Sequence, residues 1–306
     1  HKGEIVFPGG EEGLATRYSF PEWMLPIYRE ACGGDCEELL RHFNEPPKLC
    51  LRINRLRTSR ERLLAYFKER GVAASCSPLC DDALLCGGFS IAADRAYQEG
   101  LYSVQDVGAM LICRVLAPAE GATVIDACAG PGGKCAYLAE LMKNRGEILA
   151  LDIYEHKKKL IEKEASRLGL SIVRAKVQDA RESKEAPCAD YILADAPCSG
   201  LGIVGRKPEI KWNRKPEEIG AFAELQLAIL ESCAGRLKPG GAMVYSTCTL
   251  TRQENEEVCS AFLCRHPELE LEGFDPLLPE ALRGMGGGAG MLTLLATQNF
   301  DALHEK

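Results

Sequence analysis

From residue 121 onward, continuous apolar runs alternate with stretches of helical periodicity. Five strands are predicted from the runs ATVIDACA, EILALDI, SIVRAK, ADYILADAP and AMVYST. Helices are predicted over 133–144, 155–168 and about 217–236. Strands without polar alternation are typical of a sheet that helices cover on both faces. The order therefore predicts an α/β fold with a doubly wound, Rossmann-like parallel sheet.

The N-terminal part has shorter elements of mixed type. Residues 21–43 predict two short helices separated by a Gly-Gly pair. The segment KLCLRIN alternates apolar and polar positions, which predicts a strand with one polar face. Thr58 and Glu61 form a capping box at the start of a helix. VAASCSPL and ALLCGGFSI predict two further strands, which complete a small α+β unit over about 46–95.

These patterns divide the chain into three parts. We predict a helical segment over 1–45, a small α+β domain over 46–100 and a larger α/β domain over 101–306. The glycine-rich link GMGGGAG precedes a last strand candidate, MLTLLAT.

Composition and charge narrow the classes of partner. The chain has 306 residues, 46% of them hydrophobic and 26% charged, as expected of a globular protein with room for two domains. Its formal net charge of -7 argues against a wholly basic nucleic-acid-binding protein, so a polyanion must meet a local basic patch. No apolar stretch reaches the ~18 residues that a membrane span needs.

The cysteines do not follow a disulfide or metal pattern. There are 15 of them, an odd number scattered over a long chain, which predicts a reducing, cytoplasmic compartment. The spaced pairs Cys32/Cys36 and Cys76/Cys80 lack the C-x-x-C form, so no metal site is predicted.

A glycine-rich turn follows the first predicted strand. The segment DACAGPGGK, 126–134, leads directly into a helix, where free amides can face a ligand. It is neither a G-x-G-x-x-G nor a phosphate-loop motif, and an ordinary structural turn is the alternative interpretation. Asp152, Asp179 and Asp195 follow the next three strands. Carboxyl ends of parallel strands share one edge, so these acids are expected along one ligand crevice.

Two cysteines follow neighbouring strands. Cys198 stands in DAPCSG and Cys248 in STC, and both are expected to be partly exposed and able to ionise. A thiolate that adds to C6 of cytosine makes C5 nucleophilic, and a carboxyl group such as Asp195 can hydrogen-bond N3 during that addition. Two buried structural cysteines are the alternative interpretation.

Three motifs together resemble those of the RNA cytosine-5 methyltransferases that use S-adenosylmethionine. They are DACAGPGGK, DAPCSGLGIVGRKPEIKW and STCTLTRQENEEV. The resemblance is strongest to the bacterial small-subunit ribosomal RNA enzymes of the Sun/RsmB type, and it takes in YSFPEWML, PPKLCLRIN and YSVQDVGAMLICRVL. It therefore covers nearly the whole chain. The resemblance implies an RNA-recognition-like small domain before a methyltransferase domain.

The resemblance also implies roles for individual residues. Asp152 is the expected ribose ligand, Asp179 the adenine-side acid and Asp195 an acid shared by cofactor and substrate. Cys248 is the expected nucleophile, and Cys198 is expected to assist resolution of the covalent adduct. The loop around the methionine part of S-adenosylmethionine is expected to comprise Cys128, Ala129, Gly130, Pro131, Gly132, Gly133 and Lys134, of which Lys134 orients the Asp195 side.

RNA, with 16S ribosomal RNA as the expected target, is the implied partner. The basic segment 205–215 supplies the predicted RNA contacts, which are Arg206, Lys207, Lys211 and Trp212. A second run, RINRLRTSRER, adds the arginines at positions 52, 55, 57, 60 and 62. Basic runs that are only solvated faces are the alternative interpretation.

Three other functions stay open at this stage. One is a methyltransferase acting on transfer RNA, and another is a DNA cytosine-5 methyltransferase in which the Pro-Cys thiol attacks. The third is a non-catalytic RNA-binding assembly factor that keeps the fold. The second thiol, Cys248, favours an RNA enzyme over a DNA enzyme.

Overall fold

Two sheets organise the residues that the computed structural model describes, 7–182 and 188–283. The smaller sheet has four strands and the larger has five. The strand candidate MLTLLAT lies outside the described residues.

Three helices begin the described chain: α1 (Gly10–Tyr18), α2 (Met24–Cys32) and α3 (Glu37–Phe43). The helices α2 and α3 confirm the two predicted over 21–43, whereas α1 was not predicted. Gly33 ends α2 in the left-handed region, with φ of 69°. The buried side chains of Tyr28 and Phe43 pack with Leu201 of the larger domain. The N-terminal helices therefore form part of the wall beside the predicted thiol turns.

The small domain follows the β-α-β-β-α-β order of a ferredoxin-like fold. Its elements are β1 (Leu49–Ile53), α4 (Arg60–Glu69), β2 (Ala74–Cys76), β3 (Ala83–Cys86), α5 (Arg95–Gln98) and β4 (Tyr102–Val104). The antiparallel strands lie in the order β2-β3-β1-β4. The sheet continues past the boundary predicted at residue 100, because β4 pairs with β1.

The cap of α4 differs from the prediction by one residue. Ser59, not Thr58, has the extended backbone of a capping residue, and its Oγ accepts from the Arg62 N–H at 3.3 Å. Thr58 instead lies in the preceding turn, where its N–H donates to the Asn54 carbonyl. The predicted Thr58–Glu61 capping box is therefore wrong.

The larger domain is a five-stranded parallel sheet with helices on both faces. Its elements are α6 (Val107–Leu116), β5 (Thr123–Asp126), α7 (Gly133–Leu141), β6 (Glu147–Asp152), α8 (Glu155–Leu168), β7 (Val173–Val177), β8 (Ala189–Asp195), α9 (Ile210–Asn213), α10 (Glu218–Ala234), β9 (Leu237–Ser246) and α11 (Glu256–Arg265). The strand order β7-β6-β5-β8-β9 confirms the doubly wound fold. The order reverses between β5 and β8, so the ligand crevice of such a sheet lies at the carboxyl ends of these strands.

Successive residues of the strands enter different apolar clusters. Val124 and Leu193 pack with Leu138 of α7, whereas Ile125 and Ile192 pack in the cluster that includes Phe262 of α11. This alternation explains why the strand sequences are apolar at every position. The two packed layers hold the carboxyl ends of the strands in a fixed register.

Candidate active site

The glycine turn between β5 and α7 brings the backbone close to the end of β6. Gly132 has φ of 114°, and a Cβ atom there would lie 3.0 Å from Ile161 Cα. A Cβ atom on Gly130 would collide with the Asp152 carboxylate and with Lys157. The Gly130 N–H donates to Asp152 Oδ2 at 3.2 Å. Glycine is therefore needed at both positions, because the backbone of the turn packs closely against β6 and α8.

Asp152, at the end of β6, is buried against this turn. Its carboxylate also accepts from the Tyr154 N–H at 3.0 Å and forms an ion pair with Lys157 at 3.4 Å. The structure thus brings together the glycine turn and the predicted ribose acid.

Asp179 lies beyond β7 and is held mainly by Arg181. The Arg181 Nη2 atom is 2.6 Å from Asp179 Oδ2, and these hydrogen bonds hold the pKa of Asp179 below its ordinary value. The neighbouring Gln178 N–H donates to the Asp152 carbonyl at 3.0 Å, which puts Asp179 at the same edge of the sheet. Its role on the adenine side stays a prediction.

Lys134 and Asp195 form an ion pair across the crevice between β5 and β8. The distance from Lys134 Nζ to Asp195 Oδ2 is 2.6 Å, and Ser246 Oγ donates to Asp195 Oδ1 at 2.8 Å. Burial opposes the charged form of Lys134, but the Asp195 carboxylate outweighs it and raises the lysine pKa above its ordinary value. The two side chains are in contact, and the role of Lys134 in orienting Asp195 stays a prediction.

The two predicted thiols are in contact. Cys198 Sγ lies 3.1 Å from Cys248 Sγ, and the Cys248 N–H donates to Cys198 Sγ at 3.2 Å. The hydrogen bond from Cys198 lowers the pKa of Cys248. Burial opposes this shift, whereas the charges of Lys134 and Lys207 add to it. The same hydrogen bond, together with burial, raises the pKa of Cys198. The contact therefore favours ionisation of Cys248 over ionisation of Cys198.

The expectation that both thiols are partly exposed is wrong for Cys198. Cys248 is half-buried, but Cys198 is buried, because its turn is drawn inward. Gln226 of α10 donates to the Pro197 carbonyl at 3.0 Å, and Ser199 is itself buried.

Asp126 is a buried acid to which the sequence assigned no role. Neither carboxylate oxygen has a hydrogen-bond partner among the described residues. Burial, reinforced by the charge of Asp195, raises the pKa of Asp126 to about 7. Its place as the first residue of DACAGPGGK was the available signal, because such a residue ends a central strand at the crevice.

The four predicted RNA contacts separate into different environments. Lys207 is exposed, and Trp212 is 66% exposed. Arg206 is half-buried and forms an ion pair with Asp106. These three residues stay predicted RNA contacts.

The prediction that Lys211 contacts RNA is wrong, because this side chain faces the N-terminal helices and not solvent. Its Nζ atom donates to Asn44 Oδ1 at 2.7 Å and lies 3.6 Å from the centre of the Phe20 ring. Burial lowers the pKa of Lys211 to about 8. The short helix α9 turns this side chain inward while Trp212 points out. A direct contact between Lys211 and RNA is therefore not supported.

The second basic run is mostly occupied by internal partners. Arg52 is buried and contacts Glu140, so it is not part of a basic surface. Arg55 pairs with Asp82 at 2.6 Å. Arg52 lies on the face of β1 that packs against the larger domain. The period-two pattern predicted a polar face for this strand but did not show whether that face meets solvent or the other domain.

Two further searches cover the described ranges only. They contain no group of three or more His, Cys, Asp or Glu side chains that could hold a metal ion. Among the helices of residues 7–182 and 188–283, none has the length and apolar character that a bilayer crossing demands.

The doubly wound sheet, the glycine turn at its switch point and the paired thiols define the class of Rossmann-like methyltransferase folds. Residues 113–303 match the family model of the 16S rRNA methyltransferase RsmB/F, and residues 20–88 match the ferredoxin-like domain of RsmF/B-like methyltransferases. The chain belongs to the RsmB/F family of 16S rRNA methyltransferases.

Two relatives from bacteria show the extent of the similarity. The probable ribosomal RNA small subunit methyltransferase B of Bacillus subtilis is 43% identical over 275 residues, which cover 88% of this chain and 62% of that protein. The protein with the same description from Synechocystis is 33% identical over 96% of this chain and 67% of its own length. The chain therefore spans about two thirds of the length of these relatives.

Solved structures from Pyrococcus horikoshii share the fold. NSun6, solved with SFG, is 25% identical with a TM-score of 0.76, covering 84% of this chain and 90% of that one. A methyltransferase homolog protein is 30% identical with a TM-score of 0.73, covering 82% and 81%.

Proposed function

We propose that this chain transfers a methyl group from S-adenosylmethionine to C5 of a cytosine in RNA, with 16S ribosomal RNA as the target. The observation that carries the proposal is the contact of two thiols at 3.1 Å beside Asp195. Membership of the RsmB/F family supports the RNA class and the cytoplasm as the compartment.

The crevice fits S-adenosylmethionine. A Cβ atom at Gly130 would collide with Asp152 and Lys157, so glycine keeps the turn against the proposed ribose acid. Asp152 and Asp179 lie at the ends of adjacent strands, where they would hold the ribose and the adenine. When bound, the cofactor supplies an electrophilic methyl group.

The two thiols have different proposed roles: Cys248 is the nucleophile, and Cys198 is the thiol that keeps its proton. Cys248, the thiolate, forms a bond to C6 of the cytosine, which makes C5 nucleophilic toward the methyl group. Asp195 hydrogen-bonds N3 and stabilises the charge that develops on the ring. After transfer, solvent water takes the C5 proton, the electrons of the C5–H bond re-form the C5–C6 double bond, and the Cys248–C6 bond breaks with its electron pair on sulfur, which restores the thiolate. Cys198 lies against Cys248 and assists this last step.

The exposed part of the basic loop is the proposed RNA contact. Lys207 is exposed and its charge acts on Cys248, so RNA held by Lys207 lies close to the thiols. Trp212 offers a ring on which a base can stack. Arg206 supports the loop through Asp106.

The test compares Cys248→Ala and Cys198→Ala with labelled methyl donor and small-subunit RNA. We expect no product from the first variant, and from the second a protein–RNA adduct that survives denaturing electrophoresis. Cys264→Ala, at an exposed cysteine on α11, is the control and should behave as the unchanged chain. The opposite pattern would transfer the nucleophile role to Cys198.

The choice of nucleic acid separates the remaining functions. Methylation of transfer RNA or DNA but not of small-subunit RNA would replace the proposed target. RNA binding without methylation by the unchanged chain would favour a non-catalytic assembly factor.

A further inference from the structure

A buried carboxylate lies behind the two thiol turns. Glu254, between β9 and α11, is 0% exposed. Its Oε1 atom accepts from the Ser199 N–H at 2.7 Å, and its Oε2 atom accepts from Ser199 Oγ. Ser199 follows Cys198 directly in the chain. Glu254 therefore binds both the backbone and the side chain of the residue next to the buried thiol.

The same network reaches the turn of Cys248. Ser199 Oγ lies 2.7 Å from Thr249 Oγ1, and Thr249 follows Cys248 directly. Thr251 Oγ1 donates to Glu254 Oε2 at 2.9 Å. The Ser–Thr contact thus joins the two turns one residue beyond the contact between their sulfur atoms.

Helix α10 closes the network from a third side. Gln226 Nε2 donates to Glu254 Oε1 at 3.1 Å and to the Pro197 carbonyl at 3.0 Å. Pro197 and Ser199 flank Cys198, so both neighbours of the buried thiol are tied to Glu254 or to its partner. The position of Cys198 is determined by these bonds and not by the loop alone.

The hydrogen-bond donors that face Glu254 are all neutral. Its two oxygens accept from one backbone N–H, two hydroxyl groups and one amide, and no ion pair of the described residues involves this carboxylate. A buried charge held in this way is costly compared with a neutral side chain. The cost of burying this carboxylate indicates that Glu254 has a role that an apolar residue or an amide would not perform.

We propose that Glu254 is a positioning residue for the methyl transfer, because it locks the Ser199 turn to the Thr249 turn and so holds the two sulfur atoms in contact. This role rests on the proposed function. The hydrogen bond to Cys248 and burial raise the pKa of Cys198, and the charge of Glu254 on that side adds to their effect. Cys248 is then the thiol that is free to attack.

The test uses Glu254→Gln, which keeps the shape but removes the charge, and Glu257→Gln as the matched control. Glu257 is an exposed acid on α11, three residues further along the same motif. We measure kcat and KM for methylation, cofactor affinity and thermal unfolding. We expect a decrease in kcat of about 10- to 100-fold for Glu254→Gln, as is typical when reacting groups are displaced, with little change in KM. The control should match the unchanged chain.

A second readout separates positioning from general damage. Iodoacetamide labelling of Cys248 and Cys198, quantified by peptide mass spectrometry at several pH values, reports which thiol holds the proton. The unchanged chain should label Cys248 first. Glu254→Gln should reduce this preference, since Cys198 then ionises more readily. Labelling requires neither RNA nor cofactor, so a failure of the proposed methylation is distinguishable from a failure of this proposal.

Ser199→Ala keeps the test decisive if Glu254→Gln does not fold. It removes only the hydroxyl that joins Glu254 to Thr249, and it should lower kcat and the labelling preference in the same direction. Unchanged kcat and labelling preference in whichever of the two variants folds would overturn the proposal.

Discussion

Arg52 of the small domain and Glu140 of helix α7 form an ion pair that solvent does not reach. The distance from Arg52 Nη2 to Glu140 Oε1 is 2.8 Å, and the side chains are 0% and 2% exposed. Arg52 Nη1 also donates to the Gly133 carbonyl at 2.7 Å. The ferredoxin-like domain is therefore bonded to the turn that is proposed to hold S-adenosylmethionine.

Arg52→Met should lower the free energy of unfolding by about 3–5 kcal/mol, because it leaves Glu140 buried without its counter-charge. Urea unfolding measures this loss, and calorimetry should show weaker cofactor binding through Gly133. Arg95→Met, which removes an exposed pair with Glu99, is the control and should leave both quantities unchanged. Similar unfolding curves for the two variants would contradict the prediction.

Asp126→Asn should change how stability depends on pH. Burial raises the pKa of Asp126 to about 7 from its ordinary 3.8, so the native state favours the protonated acid. That stabilisation is complete below the ordinary value and is lost as the pH rises through about 7. As the pH rises from 3.8 to about 7, the free energy of unfolding of the unchanged chain should therefore fall relative to that of the variant, by up to about 1.4 kcal/mol per pH unit. A difference that does not change with pH, measured by denaturant titration without cofactor, would show that Asp126 ionises normally.

Lys207→Met and Lys211→Met should differ in the salt dependence of RNA binding. Loss of one phosphate contact reduces the slope of log affinity against log salt by about 1, and this is expected for the exposed Lys207. Lys211 is buried against Phe20 and Asn44, so its variant should lower thermal stability and leave the slope unchanged. An equal reduction of the slope in both variants would restore Lys211 as an RNA contact.

Asp195→Asn should reduce the single-turnover methylation rate by about 10²–10³-fold, as is typical when a group that stabilises developing charge is removed. Asp190→Asn is the control, since Asp190 lies near the opposite end of the same strand and pairs with Lys238. The control should methylate normally. Equal rates in the two variants would remove Asp195 from the proposed chemistry.

The class of sheet and the edge at which the acids lie were predictable because they depend on local pattern. Runs that are apolar at every position occur where helices cover both faces, and parallel strands end at one edge, so Asp152 and Asp195 were expected along the same crevice. The helix predicted over 155–168 matches α8 at both ends. Glycines before a helix likewise predicted the turn.

Partners distant in the sequence were not predictable. Arg52 and Lys211 both stand in basic runs, yet each side chain is buried against a partner that is distant in the sequence. Arg52 pairs with Glu140, and Lys211 donates to Asn44. The contacts of Glu254 with Ser199 were also not predicted, since a charged residue after a strand usually indicates a solvated loop.

The sequence by itself determined the class of sheet, the family motifs and the presence of two thiols at neighbouring strand ends, because these follow from short-range periodicity and chain order. Only the tertiary structure decided which thiol is buried and which of the basic side chains are exposed. Burial and hydrogen bonding depend on atoms brought together from separate segments, and the contact between the two sulfur atoms lowers the pKa of Cys248 and raises that of Cys198.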